Sequence, residues 1–163
     1  FAGYENFPTP DVDTIDALHA DAAEYALCGG LALAVHGHPR ATKDIDLLVR
    51  AEAVPHLLAL AKAHGYDIPA GPMLFAAGTP FERRIHRVSK LDEAGRLLSL
   101  DLIVVGDALE SVWASRVVAQ WNERAVRVVS RDGLVAMKRI AGRPQDVADI
   151  AVLEGSDAGG EAG

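Results

Sequence analysis

A lone cysteine, Cys28, excludes an internal disulfide in a chain of 163 residues, so the fold cannot depend on an oxidising compartment. Its place just before two glycines gives it the role of a small buried apolar residue rather than a nucleophile. Apolar runs of membrane-spanning length are missing, as is a basic segment followed by an apolar one near the N-terminus. Both absences lead us to expect a cytoplasmic protein without a membrane partner. Basic residues are in deficit: the formal charge of -7 excludes a protein that coats nucleic acid through bulk positive charge, and no DNA partner is expected. A local basic groove stays open, since Arg83, Arg84, His86, Arg87 and Lys90 are clustered; the alternative is a solvated basic strand. No G-x-G-x-x-G follows the first strand, which argues against a Rossmann-type dinucleotide site. His36 and His38 have a metal-compatible spacing, but no Cys or further His is near enough in sequence to complete a zinc set.

What is present is ordinary for a globular domain, with 50% hydrophobic and 24% charged residues. We expect a loose arm over 1–10, one domain over 11–153, and a disordered Gly-, Ala- and acid-rich tail over 154–163. The organising stretch runs from Tyr25 to Val49. Tyr25 to Cys28 has strand length and stops at Gly29-Gly30; Leu31, Ala34 and Val35 then keep helical spacing until Gly37 and Pro39. Glycines at a helix start leave backbone N–H groups open to a phosphate. Ile45, Leu47 and Val49 alternate with Asp44, Asp46 and Leu48, so the two aspartates share one face of a strand. Alone, such a pair reads as the solvated face of a half-buried strand.

Around this stretch, Ile15, Leu18 and Ala22 predict a first helix from Asp11, and Pro55 with Leu57, Leu58, Leu60 and Ala61 predicts another that stops at His64-Gly65. Tyr66-Asp67-Ile68 reads as a short extended piece and residues 69–80 as a loop rich in Gly, Pro and Ala. Phe81–Lys90 and Leu97–Val105 alternate as two arms of a hairpin around Asp92-Glu93-Ala94-Gly95, with Ser99, Asp101 and Ile103 on one face of the second arm. Asp107 and Glu110 have the spacing of a capping box opening a helix through Val117, and Ala125–Ser130 is a last strand. A helix carrying Lys138, capped by Ser130 or Asp132, breaks at Gly142-Arg143-Pro144 before a final helix to Leu153, which Asp146 and Asp149 would anchor, with Arg143 as the cation.

The Gly-Gly turn, the short helix, Arg40, Thr42 and the Asp44-Ile45-Asp46 strand together resemble the signature of the DNA polymerase beta-type nucleotidyltransferase superfamily. The likeness is strongest to its small bacterial members, the minimal nucleotidyltransferases and the toxin halves of abortive-infection toxin–antitoxin pairs, and it extends to the Leu134–Ile150 stretch. It implies an α/β (α+β) fold with a mixed β-sheet, helices mainly on one face and the acidic site on the other. It also implies that Asp44, Asp46 and a third carboxylate, for which Asp101 is the matching position, hold Mg2+ or Mn2+ and carry catalysis. Gly29, Gly30, Arg40, Lys43 and Lys138 would then bind the NTP phosphates. The implied reaction moves an NMP from an NTP to a hydroxyl of RNA, such as a tRNA end, or of a protein side chain, with a cognate antitoxin as a possible partner. Hard carboxylate oxygens suit magnesium, and two ions about 3.5–4 Å apart can activate the incoming oxygen and stabilise the leaving one. A catalytically inactive binding module of the same fold is the competing reading, which retention of all three aspartates disfavours.

Overall fold

In the computed structural model, residues 10–21, 23–39 and 41–162 are described, with side chains as far as Gly155. The expectations for residues 1–9, Ala22 and Arg40 lie outside these. Seven strands form one mixed sheet: β1 (Ala26–Cys28), β2 (Ile45–Val49), β3 (Ile68–Phe75), β4 (Arg83–Leu91), β5 (Leu97–Val104), β6 (Val117–Trp121) and β7 (Arg124–Val128). Their spatial order is β3-β4-β5-β2-β1-β7-β6. β2 runs parallel to β5 and β1 parallel to β7, while the other neighbours are antiparallel. The helices are α1 (Val12–Ala20), α2 (Gly29–Val35), α3 (Val54–Ala63), α4 (Glu110–Ala114), α5 (Arg131–Ala141) and α6 (Pro144–Ala162).

Strand periodicity decides the two faces. Ile45 pairs with Leu100 and Leu47 with Leu102, and all four are buried on one face. Ile15 and Leu18 of α1, Leu31 and Leu33 of α2, and Leu57 and Ala61 of α3 belong to the same core. Fully burying each large aliphatic side chain contributes about 1.5–3 kcal/mol. The opposite parity, with Cys28, Asp46, Asp101 and Arg87, lines a cleft. α5 stands across that cleft, so the acidic face is walled rather than open.

The expected hairpin of β4 and β5 is present, closed by the Asp92 N–H donating to Arg96 O at 2.8 Å. Five local expectations are corrected. α1 ends at Ala20, because Asp21 is extended and its Oδ1 accepts from Ala23 N at 2.8 Å; Tyr25 is therefore off the helix. The segment read as a loop from residue 69 contains most of β3, an edge strand, where Pro69 and Pro72 are tolerated because one side of the strand needs no ladder hydrogen bonds. The helix expected through Val117 stops at Ala114, and Val117 opens β6, which turns into β7 through Asn122 and Glu123 at φ 49° and 65°. Those left-handed values mark the turn type that suits a two-residue hairpin, here without the usual glycine. Glu110 forms no capping box with Asp107; it accepts from Arg50 Nη1 at 2.8 Å instead. At the far end α6 runs to Ala162 rather than stopping at Leu153, and the Arg139–Glu154 ion pair ties its middle to α5. Ser130 caps α5, accepting from Gly133 N at 3.0 Å.

Asp11 ties three distant parts together. It caps α1 by accepting from Thr14 N at 3.2 Å, and it accepts from Lys90 Nζ of β4 at 2.7 Å and from the Tyr66 hydroxyl at 3.0 Å. Asp11→Ala should therefore cost about 1–3 kcal/mol in urea denaturation, more than loss of the cap alone. An unchanged urea midpoint would show that the Lys90 and Tyr66 contacts contribute nothing.

Candidate active site

Four neighbouring strands place one row of side chains across the cleft face. Arg87 of β4 lies opposite Asp101 of β5, Asp101 opposite Asp46 of β2, and Asp46 opposite Cys28 of β1. Asp44 precedes β2, and its Oδ1 accepts from the Ser99 N–H at 3.0 Å, so β5 orients the first carboxylate of the Asp-x-Asp pair. The cleft has a volume of about 610 Å³. Its strand wall includes Phe75, Arg83, Ile85 and Ile103, and its helix wall Leu134, Met137, Lys138 and Ile140.

Asp46 is packed directly against the glycine turn. A Cβ on Gly29 would lie 2.1 Å from Asp46 Oδ2, and Gly29 has φ +62°, so both space and backbone require glycine there. Gly30 has another reason: its Cβ would meet the Thr42 side chain at 3.0 Å, and it does not line the cleft. Lys43 is also absent from the cleft lining. Burial, then the negative charges of Asp101 and Asp44, push the Asp46 carboxyl up to about 7 against the opposing pull of Arg87 and Arg143. Burial, then the negative charges of Asp46 and Asp101, raise the Cys28 thiol well above its ordinary range, which fits the packing role and not a nucleophile.

The structure places Lys138 in the cleft wall with carboxylate partners of its own. It is 7% exposed, and its Nζ donates to Asp149 Oδ2 at 2.9 Å and lies 3.6 Å from Asp146 Oδ1. Lys138 thus lines the cleft as part of a buried ion cluster between α5 and α6, not as a solvated lysine. Arg143 extends the cluster: its Nε donates to Asp146 Oδ2 at 2.7 Å and Nη2 to Oδ1 at 3.2 Å, as expected for an anchor of the last helix. Its side chain is 68% exposed and lines the cleft, which makes Arg143 a cation at the cleft as well as the anchor's partner, the one role its sequence position suggested. Arg87 stands out in sequence only as one of a basic run, because its partner is defined by strand register. His36 donates from Nε2 to Val129 O at 2.8 Å, so that ring serves the fold.

The carboxylates fit a divalent cation in part. Asp44 and Asp46 bring two hard oxygen donors to one cleft, and the raised Asp46 shows a local excess of negative charge that a cation would relieve. Asp101 lines the same cleft with both its oxygens accepting from Arg87, and among the described residues no three His, Cys, Asp or Glu side chains are gathered as a metal group.

The model of a family described as "Nucleotidyl transferase AbiEii toxin, Type IV TA system" matches residues 14–162. Among solved structures, the chain is similar to the Thermotoga maritima protein TM1012, assigned as a nucleotidyltransferase. The identity is 12%, with 89% of this chain and 90% of that one covered and a TM-score of 0.57. It is also similar to the lincosamide antibiotic adenylyltransferase LnuA in its lincomycin-bound form, at 15% identity over 88% of this chain and 93% of that one, with a TM-score of 0.55. No curated protein matches the sequence.

Two measurements follow from the electrostatics. Because the folded Asp46 carboxyl sits above its unfolded value near 3.8, the folded state binds the extra proton and metal-free stability falls as pH rises from about 4 to about 7. Asp46→Asn should then raise the melting temperature in EDTA at pH 8 by several degrees and give much less at pH 4; an equal shift at both would contradict the buried charge. Lys138→Ala removes the ammonium that faces buried Asp149 and Asp146 and should cost about 3–5 kcal/mol in chemical denaturation. A loss below about 1 kcal/mol, the level of a surface ion pair, would show the cluster to be solvated.

Proposed function

The chain belongs to the AbiEii nucleotidyltransferase toxin family, and from that premise we propose that its cleft moves an NMP from an NTP to a hydroxyl of an RNA or protein acceptor in a magnesium- or manganese-dependent reaction. The observation that carries the reading is the position of Asp46, wedged against Gly29, beside Asp101 and within reach of Arg143's charge, on the floor of a cleft with room for a nucleotide. In the reaction a bond forms between the acceptor oxygen and the α-phosphorus while the α–β phosphoanhydride breaks and pyrophosphate leaves. Asp44 and Asp46 would hold the divalent ion, which supplies charge neutralisation and acidifies the attacking hydroxyl.

The chain's own residues do the rest. Ser99 N–H fixes Asp44, and the glycine at position 29 lets Asp46 come close to the start of α2. Arg143, exposed at the cleft and pinned at Nε by Asp146, offers a positive charge to the phosphates. Lys138 acts at one remove, holding Asp149 and Asp146 and through them the position of Arg143. Family membership makes a cognate antitoxin the expected protein partner.

The test combines purified protein, magnesium, each α-labelled NTP and total cell RNA or protein, followed by a gel. Label should move to an acceptor with the wild type, and Asp44→Ala/Asp46→Ala should lose both transfer and at least about tenfold in calorimetric NTP–metal affinity. Undiminished affinity in the double variant would overturn the proposed site.

A further inference from the structure

Arg87 grips Asp101 with both arms of its fork, from Nε to Oδ1 at 2.7 Å and from Nη2 to Oδ2 at 2.9 Å. Register produces this grip: Arg87 and Asp101 are direct partners across an antiparallel pair, so the side chains project from the same face. Asp101 is in turn the direct partner of Asp46 on a parallel neighbour, and adjacent strands are only about 4.8 Å apart. A divalent ion shared by Asp46 and Asp101 would therefore stand against a guanidinium that stays charged at any working pH.

We propose that Arg87 is a positioning residue that takes the place of a cation at Asp101, so that without nucleotide the cleft takes a divalent ion through Asp44 and Asp46 alone. This rests on the metal-dependent reading above and adds to it which carboxylate is withheld. The asymmetry of the pair shows which partner can leave. Asp101's side chain is 11% exposed and fixed in a central strand, whereas Arg87's is 42% exposed and carries a long flexible stem. The pair also solves a folding problem, because a carboxylate so deeply placed next to Asp46 needs a neutralising partner before any ligand arrives. Arg83, four residues away on the same strand face, is turned to Phe75 with its guanidinium carbon 5.9 Å from the ring centre, which leaves Arg87 as the arginine that serves Asp101.

Titration of the full chain with Mn2+ in the absence of nucleotide, followed by electron paramagnetic resonance, tests this. Arg87→Gln frees Asp101 and should tighten Mn2+ binding about tenfold, whereas Arg87→Lys, which keeps the charge, should stay near the wild type. The charge-balanced variant Arg87→Gln/Asp101→Asn should return to wild-type affinity, because it removes a carboxylate that was contributing no ligand. Melting temperatures in EDTA add a separate readout: the Arg87→Gln and Asp101→Asn losses should be non-additive, since both break one pair. Unchanged Mn2+ affinity in Arg87→Gln, or a tenfold loss in the charge-balanced variant, would overturn the proposal. Should Arg87→Gln not fold, the charge-balanced variant decides by itself. Mn2+ binding that survives Asp44→Ala/Asp46→Ala would strike the metal-site reading instead, so the two failures are distinct.

Discussion

Like charges held close together in the middle of a sheet are the constraint to which the rest of this molecule answers. Asp44, Asp46 and Asp101 converge on one cleft, and their mutual repulsion, added to burial, is enough to move the Asp46 carboxyl by several powers of ten in proton affinity. Such a cluster persists in a folded chain only with cations nearby. Arg87 provides one from the strand side and Arg143 one from the helix side, each held in place by a carboxylate of its own. The sheet and the C-terminal helices are thus joined across the cleft by electrostatics as well as by packing.

The two ion clusters differ in how tightly they are sealed, and that difference separates their roles. Lys138, Asp146 and Asp149 are nearly inaccessible, so removing the lysine takes their shared ammonium from two buried carboxylates in a medium that solvates charge poorly. Arg87 and Arg143 keep their guanidinium groups partly in water, where rearrangement costs less. The inner cluster fixes where α6 sits relative to α5; the outer arginines have the freedom to respond to an incoming anion.

The Asp-x-Asp strand, the glycine turn before α2, and the face on which Ser99, Asp101 and Ile103 lie were legible because a period of two survives in sequence. Whichever structure depends on partners was not. β3 was hidden because its Pro and Gly content is acceptable only on an edge, and being an edge is a property of the assembled sheet. The β6–β7 turn was hidden because Asn122-Glu123 carries no glycine. Arg87 gave a weak signal as one member of a basic run, and its link to Asp101 exists only through strand register. Lys138 was legible as important but not as buried, since its partners lie a helix away.

The β4–β5 turn, outside the cleft lining and exposed at Glu93, Ala94 and Gly95, carries an obligation that its composition does not reveal. With Asp92 and Arg96 closing it, the turn counts out the residues between Arg87 and Asp101. One residue more or less there, if absorbed as a slip of β4, would shift Arg87 past its partner and turn it to the opposite side of the sheet. The spelling of the turn is free to drift, since its side chains face water, but its length is not. In an evolving lineage, substitutions can accumulate at Glu93 and Ala94, with Gly95 held by its φ of +78°, while insertions and deletions are purged, so a surface loop inherits the indel intolerance of an active site.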